Sequence, residues 1–282
     1  MRIRNLLAVI AAVISTGCTT VVVDRAQSVA TAGKAYAETL GQVNELALEN
    51  SISFNAVFLS NEATRNPAML NQTTALILER RALVGEANVY FRKIGSYFEE
   101  LGALAKDDQS AATAASVEQV ADALKKEPVG LKLSDEKKKS LSGLAGFVAK
   151  QVHAAAVERA LRRDAVTVGE ALALSEKLLD EEIRWIAVRA EAERAKAYKL
   201  KVEKPYLDPK TELGAPWRDA WTAYVKTTPV IEILQKAKKA SVDMQKQWIT
   251  TLRGDYSAEE IKQSLANIKA GAEAIKSVKS AY

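Results

Sequence analysis

Apolar residues along this chain recur with helical spacing, and long seams of them carry most of the architecture. Between residues 24 and 65, steps of three and four residues link Ala26, Val29, Gly33, Tyr36, Leu40, Val43 and Ala47. The same rhythm starts at Val22 and continues through Asn50, Phe54, Val57 and Asn61. This heptad-like pattern keeps one stripe on one side of a long helix, and Leu46, Phe58 and Leu59 widen it. Asn66-Pro67 ends the run, because proline disfavours helical geometry in the residue before it. A second helix is predicted over residues 68–106, with Leu76, Leu83, Tyr90, Tyr97 and Leu104 in one column. Ile77, Val84, Phe91 and Phe98 form the column beside it, giving a face wide enough for two partners. The short connection makes the two helices an antiparallel hairpin.

The rhythm is interrupted twice more, near residues 107–133 and 203–216, where the body could subdivide. A short helix is expected over 111–126, closed by Pro128 and Gly130. Ser134 has the chemistry of a helix N-cap, with Asp135 and Glu136 in the first turn where the helix dipole favours acids. The helix it starts should turn Leu141, Leu144, Phe147, Val148 and Val152 inward and run on through 154–165, with a break or bend at 167–169. A further helix, 170–204, sets Leu172, Leu179, Ile183, Ile186, Ala190 and Ala197 on one side. Pro205, Pro209 and Pro216 then forbid regular helix. Helix resumes near Pro216 and reaches about residue 253, kinked or restarted at Pro229, with Gly254 suited to its C-cap. Ser257-Ala258-Glu259-Glu260 has the pattern of a capping box opening a last helix. Period-two alternation is confined to Val21-Val22-Val23. The fold class expected is all-α: an elongated antiparallel helical bundle with long coiled-coil-like helices.

The amino terminus has a different texture. Arg2 and Arg4 precede the apolar run 6–14, which is too short to span a bilayer, and Ser15-Thr16-Gly17-Cys18 follows. Cys18 is the single cysteine of the 282 residues, so no internal disulfide can form. Ser15-Thr16-Gly17-Cys18 resembles the lipobox of bacterial lipoproteins, with Ser15 where Leu, Val or Ile is usual and Ile14 one residue earlier. The resemblance implies a signal peptide of residues 1–17, a mature body of residues 18–282 and lipid chains on Cys18. It also implies an outer-membrane location facing the periplasm, because Thr19 and Thr20 stand where an inner-membrane retention aspartate would be. The outer leaflet of the inner membrane, or secretion, is the alternative. Three acyl chains would hold the protein on a membrane essentially permanently.

Charge and side-chain inventory narrow the function. Without Arg2 and Arg4, 38 of the 40 basic residues face 35 acids, too mixed a balance for nucleic-acid binding. Residues 210–282 hold twelve Lys/Arg and eight Asp/Glu, among them Lys236, Lys238, Lys239 and Lys246. That suits contact with anionic headgroups or an acidic partner, and equally a solvated helix face. His153 is the only histidine, and it lies among alanines. Neither zinc nor di-iron ligand sets can be assembled, and no glycine-rich phosphate loop occurs. Carboxylates cluster at 99–100, 107–108 and 180–182, but adjacent helical residues diverge by 100° per position.

An enzyme is not expected, nor any cofactor or metal. The expected role is a lipid-anchored helical scaffold or interaction module with an envelope protein as partner. Its seams can also pair between copies. The alternative is a ligand-binding lipoprotein using Tyr206, Trp217, Trp221 and Tyr224, where Trp217 and Trp221, four apart, share a helix face. The same aromatic residues would equally serve to pin the proline-rich loop onto the bundle. A membrane-active helical protein is the weakest of the three, since no long apolar hairpin is present.

Overall fold

The computed structural model describes residues 3–60, 66–106, 110–126, 130–147, 155–226 and 230–253, and four positions between 263 and 270. Within these the chain is helical and contains no strand. The elements are α1 (Ile3–Ser60), α2 (Pro67–Leu104), α3 (Ser110–Lys125), α4 (Asp135–Ser142), α5 (Ala155–Tyr198), α6 (Lys204–Leu207), α7 (Ala215–Lys226) and α8 (Val230–Arg253). A 3-10 turn (Leu144–Phe147) precedes α5, and a π-helical turn (Lys199–Glu203) follows it.

The core is a four-helix arrangement of α1, α2, α5 and α8, running up, down, up and down. Its register is fixed by pairs along its length. Asn44 donates to the Val84 carbonyl at 3.1 Å, whereas Lys34 meets Glu99 at 2.8 Å, so α1 and α2 are antiparallel. Tyr90 donates to the Ala171 carbonyl at 2.8 Å, and Arg80 bonds Glu182, which sets α5 against α2. Trp248 donates to the Ala165 carbonyl at 3.1 Å and Lys238 meets Asp180 at 2.7 Å, so α8 returns along α5.

The predicted stripe of α1 is the centre of this core. Ala26, Val29, Tyr36, Leu40, Val43, Leu46 and Ala47 are all buried. Small residues let α1 and α2 approach closely: Gly102 lies on Ala30, Gly95 on Ala37, and Phe98 lies directly on Gly33. Buried aromatic rings fill the other side, with Tyr97 and Phe98 both meeting Trp248 edge-on at 6.3 and 6.1 Å. Helix α3 crosses the outside of α2 and α5 on Val117, Val120 and Ala123.

Several boundaries differ from expectation. Helix α1 begins at Ile3, well before residue 24. Ser134 caps α4 as expected, its hydroxyl accepting from the Lys137 amide at 3.3 Å, but α4 ends at Ser142 instead of running on. Leu141 and Leu144 are buried. The side chain of Phe147, and residues Val148, Val152 and His153, lie outside the described part. No break occurs at 167–169, where α5 is continuous. Gly169 is a packing notch: a methyl there would meet Leu144 Cδ1 at 2.6 Å. On α5, Leu172 and Leu179 are buried and Ile183 is half-buried, but Ala197 is exposed because the helix has by then left the bundle. On α2, Tyr90, Tyr97 and Leu104 are buried, while Leu76 and Leu83 are exposed. The capping-box segment, Gly254 and Pro229 lie outside the described residues; α7 is described to Lys226 and α8 from Val230.

Candidate functional site

The site residues named from sequence fall in two places. Cys18 lies within α1, and its side-chain surroundings are outside the described residues. Among the described residues no helix is long and apolar enough to cross a membrane.

Tyr206, Trp217, Trp221 and Tyr224 all belong to an elbow at the far end of α5. Pro205 lacks the N–H that would continue the α-helical ladder, and the chain takes up a π turn immediately before it. Val202 in that turn is buried, and its carbonyl accepts from Trp217 Nε1 at 3.0 Å. After α6 the chain reverses at Asp208. Its carboxylate accepts from the Lys210 amide at 3.0 Å and from the Thr211 hydroxyl at 2.8 Å, and these bonds hold its pKa below the usual value. Pro216 then occupies the first turn of α7, where a missing N–H costs nothing.

The aromatic set divides. Tyr206, Trp217 and Trp221 form one near-parallel row, with centroids 5.8 and 6.4 Å apart and planes 22° and 10° from parallel. Tyr224 instead packs on Tyr198 of α5 at 4.5 Å. The Arg194 guanidinium sits 4.5 Å from the Tyr224 ring and donates to the Tyr224 carbonyl at 3.2 Å. Tyr224 and Trp217 thus pin the elbow, whereas Tyr206 and Trp221 remain exposed. Sequence reasoning missed Tyr198 and Arg194, seven and eleven residues before Pro205. It named Leu207 and Leu213 only as part of the proline-rich segment and missed the exposed Leu200. The signal available for these was the shortage of helical periodicity among the apolar residues of 198–213.

A separate groove of about 280 Å³ opens between α3, the segment after Gly130 and α5. Leu124, Leu131, Leu133 and Leu174 line it, with Lys125, Lys132 and Lys138 at hand and Thr167 and Glu170 beside them. Gly130 enters this segment at φ +69°, a left-handed conformation that favours glycine.

The interior holds one buried acid of note. Asp164 has no solvent exposure and takes two bonds from Arg163, at 2.5 and 2.8 Å. Burial pushes its pKa up, against the pull of Arg163. Tyr97, also buried, has its pKa raised by burial and by the charge of Asp164. The Asp164 charge on α5 and the buried phenol of Tyr97 on α2 thus face each other across the interior. Glu182 is likewise raised by burial, against Arg80. No group of three or more His, Cys, Asp or Glu among the described residues is arranged to hold a metal ion.

No protein family, curated protein or solved structure matches the chain.

Proposed function

We propose that this chain is a non-catalytic, lipid-anchored interaction module of the bacterial cell envelope, tethered through Cys18 and presenting its far end to a partner. The observation that carries the reading is the distribution of apolar surface along the α1–α2 hairpin. The stripe near the tether is buried, whereas Ile52, Leu70, Leu76 and Leu78, beyond the Arg80–Glu182 bond, are exposed. Exposed aliphatic residues grouped on one end of a rigid helical pair are a usual mark of an interaction surface. At 1.5 Å per residue, the part of α1 between Cys18 and Ser60 reaches about 60 Å, so a partner at the far end is contacted well away from the tether.

Two experiments test this. Replacing Cys18 with Ala lets a high-salt wash release the protein from the membrane fraction, which it does not do for the parent, while leaving its far-UV circular dichroism unchanged. Retention of the variant through the salt wash counts against the tether. A photocrosslinking residue at Leu76 or Leu78 captures a discrete envelope protein in cells, and one at Lys139 does not. Equal capture from both positions counts against the hairpin end as the contact surface.

A second reading, binding of a small envelope-derived molecule, is favoured by the groove beside Gly130. Its volume is just under the usual range for ligand pockets of roughly 300–1,000 Å³. A medium-chain fatty acid that raises the melting temperature of the parent, but not of Leu174→Gln, would support that reading.

A further inference from the structure

We propose that the elbow of residues 194–226 is a second lipid-contacting surface, which docks on anionic headgroups at the pole of the molecule opposite Cys18. Helix α5 runs parallel to α1, and Tyr198 lies sixteen residues past Glu182, hence about 24 Å beyond the Arg80–Glu182 bond. The elbow therefore projects in the direction of the α1–α2 turn and away from the amino terminus.

Three features of the elbow combine. Leu200, Tyr206, Leu207, Leu213, Trp221 and Val225 are exposed, Leu207 at 68% and Tyr206 at 63%. Residues 194–226 also hold eight Lys/Arg against four Asp/Glu, so these apolar groups are set in a basic field. The turn that carries them is built to hold its shape, by the Asp208 bonds, by Pro205 and Pro216, and by Trp217 on the Val202 carbonyl. An ordered turn that keeps aromatic and aliphatic side chains in water is preorganised for a contact.

The chemistry favours lipid over an acidic protein. Tryptophan and tyrosine settle at the headgroup level, leucines reach past it, and lysines lay their stems along apolar surface while the ammonium stays with phosphate. Each basic residue near an anionic surface adds about fivefold to partition. An acidic helix would instead call for a groove, and Leu207 and Leu213 here flank an exposed turn. This inference does not depend on acylation of Cys18.

The test uses the full chain and vesicles with bromine-labelled acyl chains, made either of phosphatidylglycerol with phosphatidylcholine or of phosphatidylcholine alone. Tryptophan emission is the readout. The four tryptophans are Trp185, Trp217, Trp221 and Trp248, so insertion of the amino terminus does not quench them. The expected result is quenching by the anionic vesicles only, weakened by salt and largely removed in Trp221→Phe. Leu207→Ser with Leu213→Ser reduces partition about tenfold, and separately Lys204→Gln with Lys210→Gln reduces it about 25-fold, each with circular dichroism unchanged. Absence of quenching on anionic vesicles, or equal quenching on neutral ones, overturns the proposal. So does an acidic protein that binds the elbow while lipid does not.

Discussion

Replacing Gly33 with Ala sets two calculable effects against each other. In an isolated helix the change would stabilise, since glycine costs about 1 kcal/mol relative to alanine in a helix interior. Gly33 is buried in the α1 stripe, however, and a methyl group there would overlap three carbons of the Phe98 ring. Whether Phe98 can yield decides the sign. It has no solvent exposure, and its ring stands edge-on to Tyr97 at 5.3 Å and to Trp248 at 6.1 Å. Trp248 is in turn fixed by its bond to the Ala165 carbonyl. A ring held on two sides cannot rotate away, so the cost falls at the upper part of the roughly 1–3 kcal/mol range for overpacking.

The net expectation for Gly33→Ala is a loss of about 1–2 kcal/mol, or ~3–6 °C in melting temperature for a chain of this size. Urea denaturation followed by circular dichroism measures it. Gly85→Ala is the control: Gly85 is an exposed α2 residue with nothing within 4 Å of an added Cβ, so propensity acts alone and stability rises by about 0.5–1 kcal/mol. Adding Phe98→Leu to Gly33→Ala should cost less than the sum of the single changes, a coupling that a double-mutant cycle resolves. If Gly33→Ala were as stable as the parent, or shifted in the same direction as Gly85→Ala, the close approach of α1 and α2 would be refuted.

Asp164→Asn tests the buried acid through pH. A carboxyl whose folded pKa is raised above the unfolded value near 3.8 weakens the fold fully at pH above the folded value. Parent stability relative to the Asn variant should therefore grow as pH falls from 7 toward 4, and a difference independent of pH would count against it. Tyr36→Phe leaves the Ser241 hydroxyl, 2.6 Å away in the interior, without its phenol partner and should cost about 1–1.5 kcal/mol by denaturant midpoint. Arg80→Gln removes the counter-charge from the largely buried Glu182 and should cost about 1–3 kcal/mol. Because burial raises the Glu182 pKa, that loss should shrink in acid, as protonation relieves the unpaired charge.

The stripe of α1 was readable because every position from Ala26 to Ala47 meets a neighbouring helix, so period and burial coincide. The capping serine of α4 was readable for a local reason, since a cap needs only its own first turn. Gly169 was misread because sequence offers the same glycine for a helix break and for a notch, and only Leu144, twenty-five residues earlier, decides between them. The aromatic residues at 206–224 were found by spacing, but spacing fixes only which face of α7 they share. That Tyr224 turns to Tyr198 while Trp221 faces out follows from where α5 ends, and no pattern within α7 carries that information.

The column on α2 carries the same lesson further. Leu76, Leu83, Tyr90 and Tyr97 follow one another at intervals of seven, yet the first two are exposed and the last two buried. The difference lies in the partners. Tyr90 bonds the Ala171 carbonyl of α5 and Tyr97 meets Trp248 of α8, whereas toward the α1–α2 turn the apolar period on α2 goes on through the exposed Leu83 and Leu76. Single exposed leucines need no explanation. Here the period is kept where burial is not, and the exposed Leu78 and Leu83 flank the charged Glu79, Arg80 and Arg81. On the function proposed above, a face patterned for burial and exposed at one end is a docking surface, and the hairpin end, not the interior acids, is where a partner should be sought.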